Sequence, residues 1–226
     1  MTINPLNDAL EVEPLYQPGE PFSREFYDFA YRLNSLLRHW QSTQRFIAGY
    51  LTDLRAAKTD GSTEMEIIKD EILLPDQEYF PEFLRGAILA HSLALLENLL
   101  TDVASEVASE LGAHPELDQR QLPYINRHIL FLTRTCGLEL DVSKDLWRKL
   151  DAIRELRNRH IHKLDRDLPL QVKATLSRMA DEAQSAEKAV DDTFVDCGLK
   201  VVAELAEQLE CAYWRWFDKQ VGHRHA

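Results

Sequence analysis

A chain of 226 residues with 45% hydrophobic content can bury one sizeable core, or at most two small ones. Its net charge of -12 argues against a constitutive nucleic-acid coat, and no apolar run reaches the roughly 18 residues of a membrane span. The start, Met1 to Pro5, has neither the basic nor the apolar region of a secretion leader, and Cys136, Cys197 and Cys211 lack C-x-x-C spacing, so a cytoplasmic protein with buried thiols is expected rather than a disulfide framework or zinc site.

Pro5, Pro14, Pro18 and Pro21 mark residues 1 to 21 as an irregular arm. From Ser23 to about Lys58, apolar positions including Phe26, Phe29, Leu33, Leu37, Trp40, Ile47 and Leu51 recur at helical spacing and predict one long amphipathic helix. Thr63 and Glu66 are spaced as a capping box for a short helix running to Leu74. The boundary of this extension is expected near Leu74-Pro75-Asp76, dividing the chain into 1–76 and 77–226. Pro81 can open a helix that reaches Leu111 ahead of Gly112, and another helix should run from Asp118 to Cys136, stopped by Gly137. Asp141 or Ser143 can cap the next helix, with Pro169 as its limit. Residues 170 to 191 fit a helix or a short strand, and a last helix spans Asp192 to about Lys219. The fold class is therefore all-α, a helical bundle with an N-terminal helical extension.

The helix before Pro169 breaks its own pattern. Leu146, Leu150, Ile153, Ile161 and Leu164 form an apolar stripe, and Arg157 sits in the middle of it. A guanidinium there needs a phosphate ligand or a buried carboxylate partner such as Glu97. Around it, residues 148 to 166 hold seven basic side chains against three acidic ones, a basic strip in an acidic protein. Arg154, Arg159, His160, Lys163 and Arg166 are the candidate RNA-backbone contacts in that strip.

Arg157, Asn158 and His162 supply what RNA cleavage by an internal 2'-hydroxyl needs without a metal. Arg157 offers a fixed cation for the phosphate, Asn158 an orienting group, and His162 an acid or base titrating near neutrality. Residues five apart on a helix point about 140° from each other, so Arg157 and His162 of one chain diverge, whereas two copies meeting about a two-fold axis can bring both pairs into one cleft. The alternative is structural: Arg157 paired with Glu97, and His162 interacting with a helix C-terminus.

Arg157-Asn158-x3-His162 resembles the signature of the HEPN superfamily (higher eukaryotes and prokaryotes nucleotide-binding), whose ribonuclease members carry Arg, a polar residue, a few more positions and His. Leu95-Leu96-Glu97-Asn98-Leu99-Leu100 and the segment from Leu146 to Asn158 resemble the two core helices of that family, over about residues 78 to 217. The resemblance implies a HEPN-like helical core and a cofactor-free endoribonuclease acting on RNA as a homodimer. It also implies a toxin or anti-phage role, with an antitoxin or defence-complex partner. Family toxins silenced by nucleotidyl transfer carry Tyr two residues after the motif His, where this chain has Leu164. A non-catalytic adaptor of the same fold, using the basic strip and the helix at residues 23 to 58 to bind a partner, is the competing expectation, and nucleotide binding without hydrolysis is a third.

Overall fold

A computed structural model of the chain describes residues 13–56, 74–112, 124–162, 168–182 and 190–224. These form helices α1 (Arg24–Ala56), α2 (Leu74–Leu111), α3 (Tyr124–Leu130, continuing into a π-helical turn, Phe131–Thr135), α4 (Lys144–His162), α5 (Leu170–Glu182) and α6 (Val190–Arg224). No strand occurs among the described residues. The short helix expected from Thr63 lies almost wholly outside them, as do residues 118–123 and 1–12.

Helix α2 is the centre of the bundle, packed on by α1, α3, α4 and α6. Its stretch Phe80–Leu111 is long and apolar enough to cross a membrane, but 56% of that window is buried in the protein, as befits a core helix. Leu89, Leu96, Leu100, Val103 and Val107 are sealed from solvent along it. The expected start at Pro81 is corrected. Pro75 takes the first turn, where a missing N–H costs nothing, and Pro81 lies inside the helix. Gly112, at φ 62°, ends α2 in the left-handed region that favours glycine.

The first part of α1 seats Phe26, Phe29, Leu33, Leu37 and Trp40 against α2 and α6. Trp40 donates from Nε1 to Asp196 of α6 at 2.9 Å. Past Trp40 the helix is less covered: Ile47 of the stripe is half-buried and Phe46 is 71% exposed. At the other end, residues 13–22 lie against the bundle through Glu210, a buried carboxylate of α6. Tyr16 Oη donates to it at 2.6 Å and the Gly19 N–H at 3.0 Å. Asn34 of α1 completes the attachment, accepting from the Leu15 N–H and donating to the Tyr16 carbonyl, both at 2.8 Å.

Ser143, not Asp141, caps α4, accepting the Leu146 N–H at 3.1 Å. Residues 170–182 are helical, because Leu176 and Met179 put one buried face three residues apart. Pro169 stands directly ahead of α5, its carbonyl accepting the Lys173 N–H at 3.0 Å. Of the cysteines, Cys136 and Cys197 are buried, whereas Cys211 is exposed and corrects the expectation of three buried thiols.

The spacing of the helices that carry the motif is set at Gly198 of α6. A Cβ there would stand 2.7 Å from Leu89 Cδ2 of α2 and 3.5 Å from Ile153 Cγ2 of α4. Both neighbours are fully buried and have no free space to retreat into. Gly198→Val should therefore destabilise the protein by about 1–3 kcal/mol through overpacking, read as a lower urea midpoint at unchanged m-value. A midpoint equal to wild type would contradict this close three-helix contact.

Candidate functional site

Helices α2, α3 and α4 enclose a cleft of about 240 Å³ beside the motif. Its lining combines apolar Leu93, Leu150 and Ile125, aromatic Trp147 and Tyr124, and polar Glu97, Asn126, Asp151, Arg154 and Arg157. Leu146, Leu150, Ile153 and Leu156 anchor α4 in the core, so Arg157 is carried on the edge of a packed face and is half-buried. Its Nε is enclosed and has no hydrogen-bond partner among the described residues.

Glu97 shares the cleft with Arg157, but the two make no ion pair; neither does any other carboxylate reach Arg157 among the described residues. Burial raises the Glu97 pKa above the ordinary carboxylate value, against the opposing pull of the Arg157 and Arg127 charges. Behind Glu97 lies a group that sequence reasoning missed. Arg127 stacks over the Tyr124 ring at 5.1 Å from its centroid, and Tyr124 meets the His128 ring edge-on at 4.5 Å. Thr101, one turn after Glu97, lies 3.3 Å from Tyr124 Oη and 3.5 Å from His128 Nε2. Arg127 Nε and His128 Nδ1 are also buried without partners, and burial, with the Arg127 charge, lowers the His128 pKa below the ordinary imidazole value. The available signal was the adjacent Arg127-His128 pair interrupting apolar Ile125, Ile129 and Leu130, the same kind of irregularity that marks Arg157.

Of the expected site residues, Arg154, Arg157 and Glu97 come together at the cleft. Asn158 is half-buried one turn beyond Arg154, and position 162 follows on the same i, i+4 row. The side chains of His160 and His162 lie outside the described residues, as do Lys163 and Arg166. The basic strip is partly neutralised from within. Arg154 pairs with Asp151 at 3.2 Å and Glu155 at 3.7 Å, and Lys149 with Asp145 at 3.2 Å. Arg159 is half-buried on α4 and has its own interaction partner. Next to the cleft, a groove of about 420 Å³ between α4 and α5 is lined by Arg148, Asp151, Gln171, Thr175 and Arg178, with Arg178 held 2.9 Å from Asp145. Among the described residues no three His, Cys, Asp or Glu side chains gather as a metal cage requires.

No family model, curated protein or solved structure matches this chain.

The raised Glu97 pKa has a definite sign for stability. A carboxyl whose folded-state value exceeds its unfolded value favours folding most when protonated, and that contribution is lost as pH rises through the carboxylate range. Glu97→Gln should thus be more stable than wild type at pH 7, with the advantage closing below about pH 4. Urea unfolding at several pH values checks this, and a variant less stable than wild type at neutral pH would mean that Glu97 is held by a charge partner.

Proposed function

We propose that the protein is a metal-independent endoribonuclease of HEPN type that acts as a homodimer. The observation that carries this reading is Arg157, a half-buried guanidinium facing a cleft with an enclosed, unpartnered Nε on an otherwise regular core helix. Structural arginines are paired; one held ready without a partner is suited to a phosphate oxygen. Arg157 binds the scissile phosphate and offsets the charge that develops on it, and Asn158 orients the group. One His162 of the dimer takes the proton of the 2'-hydroxyl as its oxygen attacks phosphorus. The second His162 protonates the departing 5'-oxygen, leaving a 2',3'-cyclic phosphate. Arg154, Arg159, His160, Lys163 and Arg166 hold the flanking backbone.

The resemblance to HEPN ribonucleases extends the proposal to a toxin or anti-phage effector controlled by a partner protein. An adaptor role is favoured by one separate observation, the exposed aromatic residues Phe46 and Tyr50 on the outer part of α1, which form a surface suited to a protein partner. Expression in cells separates the two, since an enzyme arrests growth in a manner abolished by His162→Ala and an adaptor does not.

In vitro, the wild type should cleave single-stranded RNA in the presence of chelator, leave cyclic or 3'-phosphate ends, and spare DNA. His162→Ala should slow cleavage about 100-fold or more with little change in melting temperature. Arg157→Met should also abolish cleavage while leaving stability equal or higher, by up to about 1–3 kcal/mol, because it removes an enclosed donor without a partner. Cleavage lost in chelator, or retained in both variants, would overturn the mechanism. Sedimentation showing an active monomer would overturn the shared site.

A further inference from the structure

We infer that the cleft between α2, α3 and α4 is a nucleobase pocket that receives one unstacked base of a single-stranded RNA and favours bases bearing an amino group over uracil. The inference rests on the ribonuclease reading for its choice of polymer, but its carrying observations are separate. At about 240 Å³ the cleft lies below the roughly 300–1,000 Å³ occupied by drug-sized ligands, a size suited to a single base and not to a stretch of chain. Trp147 and Tyr124 line it, and aromatic faces are the usual platform for a base turned out of its stack. Leu93 and Leu150 make the remainder of its floor apolar.

The polar groups are divided by charge. Arg154 and Arg157 lie on the α4 side, where a phosphate attached to the bound nucleotide would meet them, and Arg157 Nε lacks any other partner. Glu97 lies on the α2 side without an ion pair, an acceptor for the exocyclic amino hydrogens of cytosine, adenine or guanine. Uracil presents carbonyl oxygens at the corresponding edge, which a carboxylate repels. Asn126 is half-buried in the same lining and can donate or accept.

The test is equilibrium binding to tetranucleotides made non-cleavable by a 2'-deoxy sugar at one position, with each base in turn, or none, at that position. Wild type should bind the abasic and uracil oligomers about tenfold more weakly than the best amino-bearing base. Trp147→Ala should lose about tenfold for the base-bearing oligomers and little for the abasic one. Glu97→Gln, whose amide also donates, should narrow the gap between uracil and the other bases. Asn126→Ala gives a further variant should Trp147→Ala fail to keep its fold by circular dichroism. Equal binding of abasic and base-bearing oligomers, or losses in the variants that ignore the base, would overturn the pocket, as would mononucleotides binding as tightly as tetranucleotides. Because no cleavage is read, the outcomes separate: selective binding by a protein that cuts nothing keeps the pocket and ends the ribonuclease reading, and indiscriminate binding by an active enzyme does the reverse.

Discussion

Helix α2 is too apolar to face water, and covering it engages α1, α4 and α6 on one side or another, with α3 laid across its later turns. Apolar burial on this scale is the main favourable contribution to folding, and it dictates where the remaining helices sit. Gly198 lets α6 approach closely enough for α2 and α4 to meet over the same core. The cleft lies at the edge of that closure, where Trp147, Arg154 and Arg157 of α4 stand beside the aliphatic side chains of the core.

The edge of the core near Glu97 is electrostatically unfinished. Arg157 Nε and Arg127 Nε are enclosed without acceptors, His128 Nδ1 is enclosed without a partner, and Glu97 is held above its ordinary pKa by burial although two arginines lie nearby. Each unmade hydrogen bond of an enclosed donor costs on the order of 1–3 kcal/mol, so a cluster of them is a substantial sacrifice in one small region. Elsewhere Tyr213 donates to Glu106 at 2.8 Å and Trp216 Nε1 to the Cys136 carbonyl at 3.0 Å, while Glu106 Oε2, Gln208 Oε1 and Trp214 Nε1 are also enclosed without partners among the described residues. What sets the cleft apart is that Arg157, with its enclosed Nε, and the raised Glu97 carboxyl line one and the same cavity.

Local rules were enough for much of the fold. The 3.6-residue recurrence from Phe26 onward located the start of α1 to within one residue, its expected end near Lys58 lying outside the described residues, and Gly112 and Gly137 stop their segments as expected, each with positive φ. Two prolines six residues apart made the start of α2 ambiguous, since either suits a first turn. The π-helical turn at Phe131–Thr135 leaves no periodic trace in five residues. In the candidate site, Arg157 was visible as a break in one helix pattern. Glu97 was named beside it as a possible partner, but Tyr124 and Arg127 were not found, because they are brought there by packing between helices distant in sequence, and helical periodicity carries no information about which faces meet. Trp147 likewise fits the α4 apolar stripe as ordinary core.

The junction of Tyr16 with Glu210 joins residues 194 positions apart. During synthesis the first twenty or so residues emerge long before α6 exists, and with growth of roughly 5–20 residues per second they wait many seconds for their acceptor. Until then Tyr16 Oη has no carboxylate to meet, and of these hydrogen bonds only those of Asn34 can hold Leu15 and Tyr16. The contact of Tyr16 and Gly19 with α6 therefore forms late, only once the segment carrying Glu210 has been made. A chain truncated before Glu210 would keep, of these hydrogen bonds, only those of Asn34 to hold Leu15 and Tyr16 against α1.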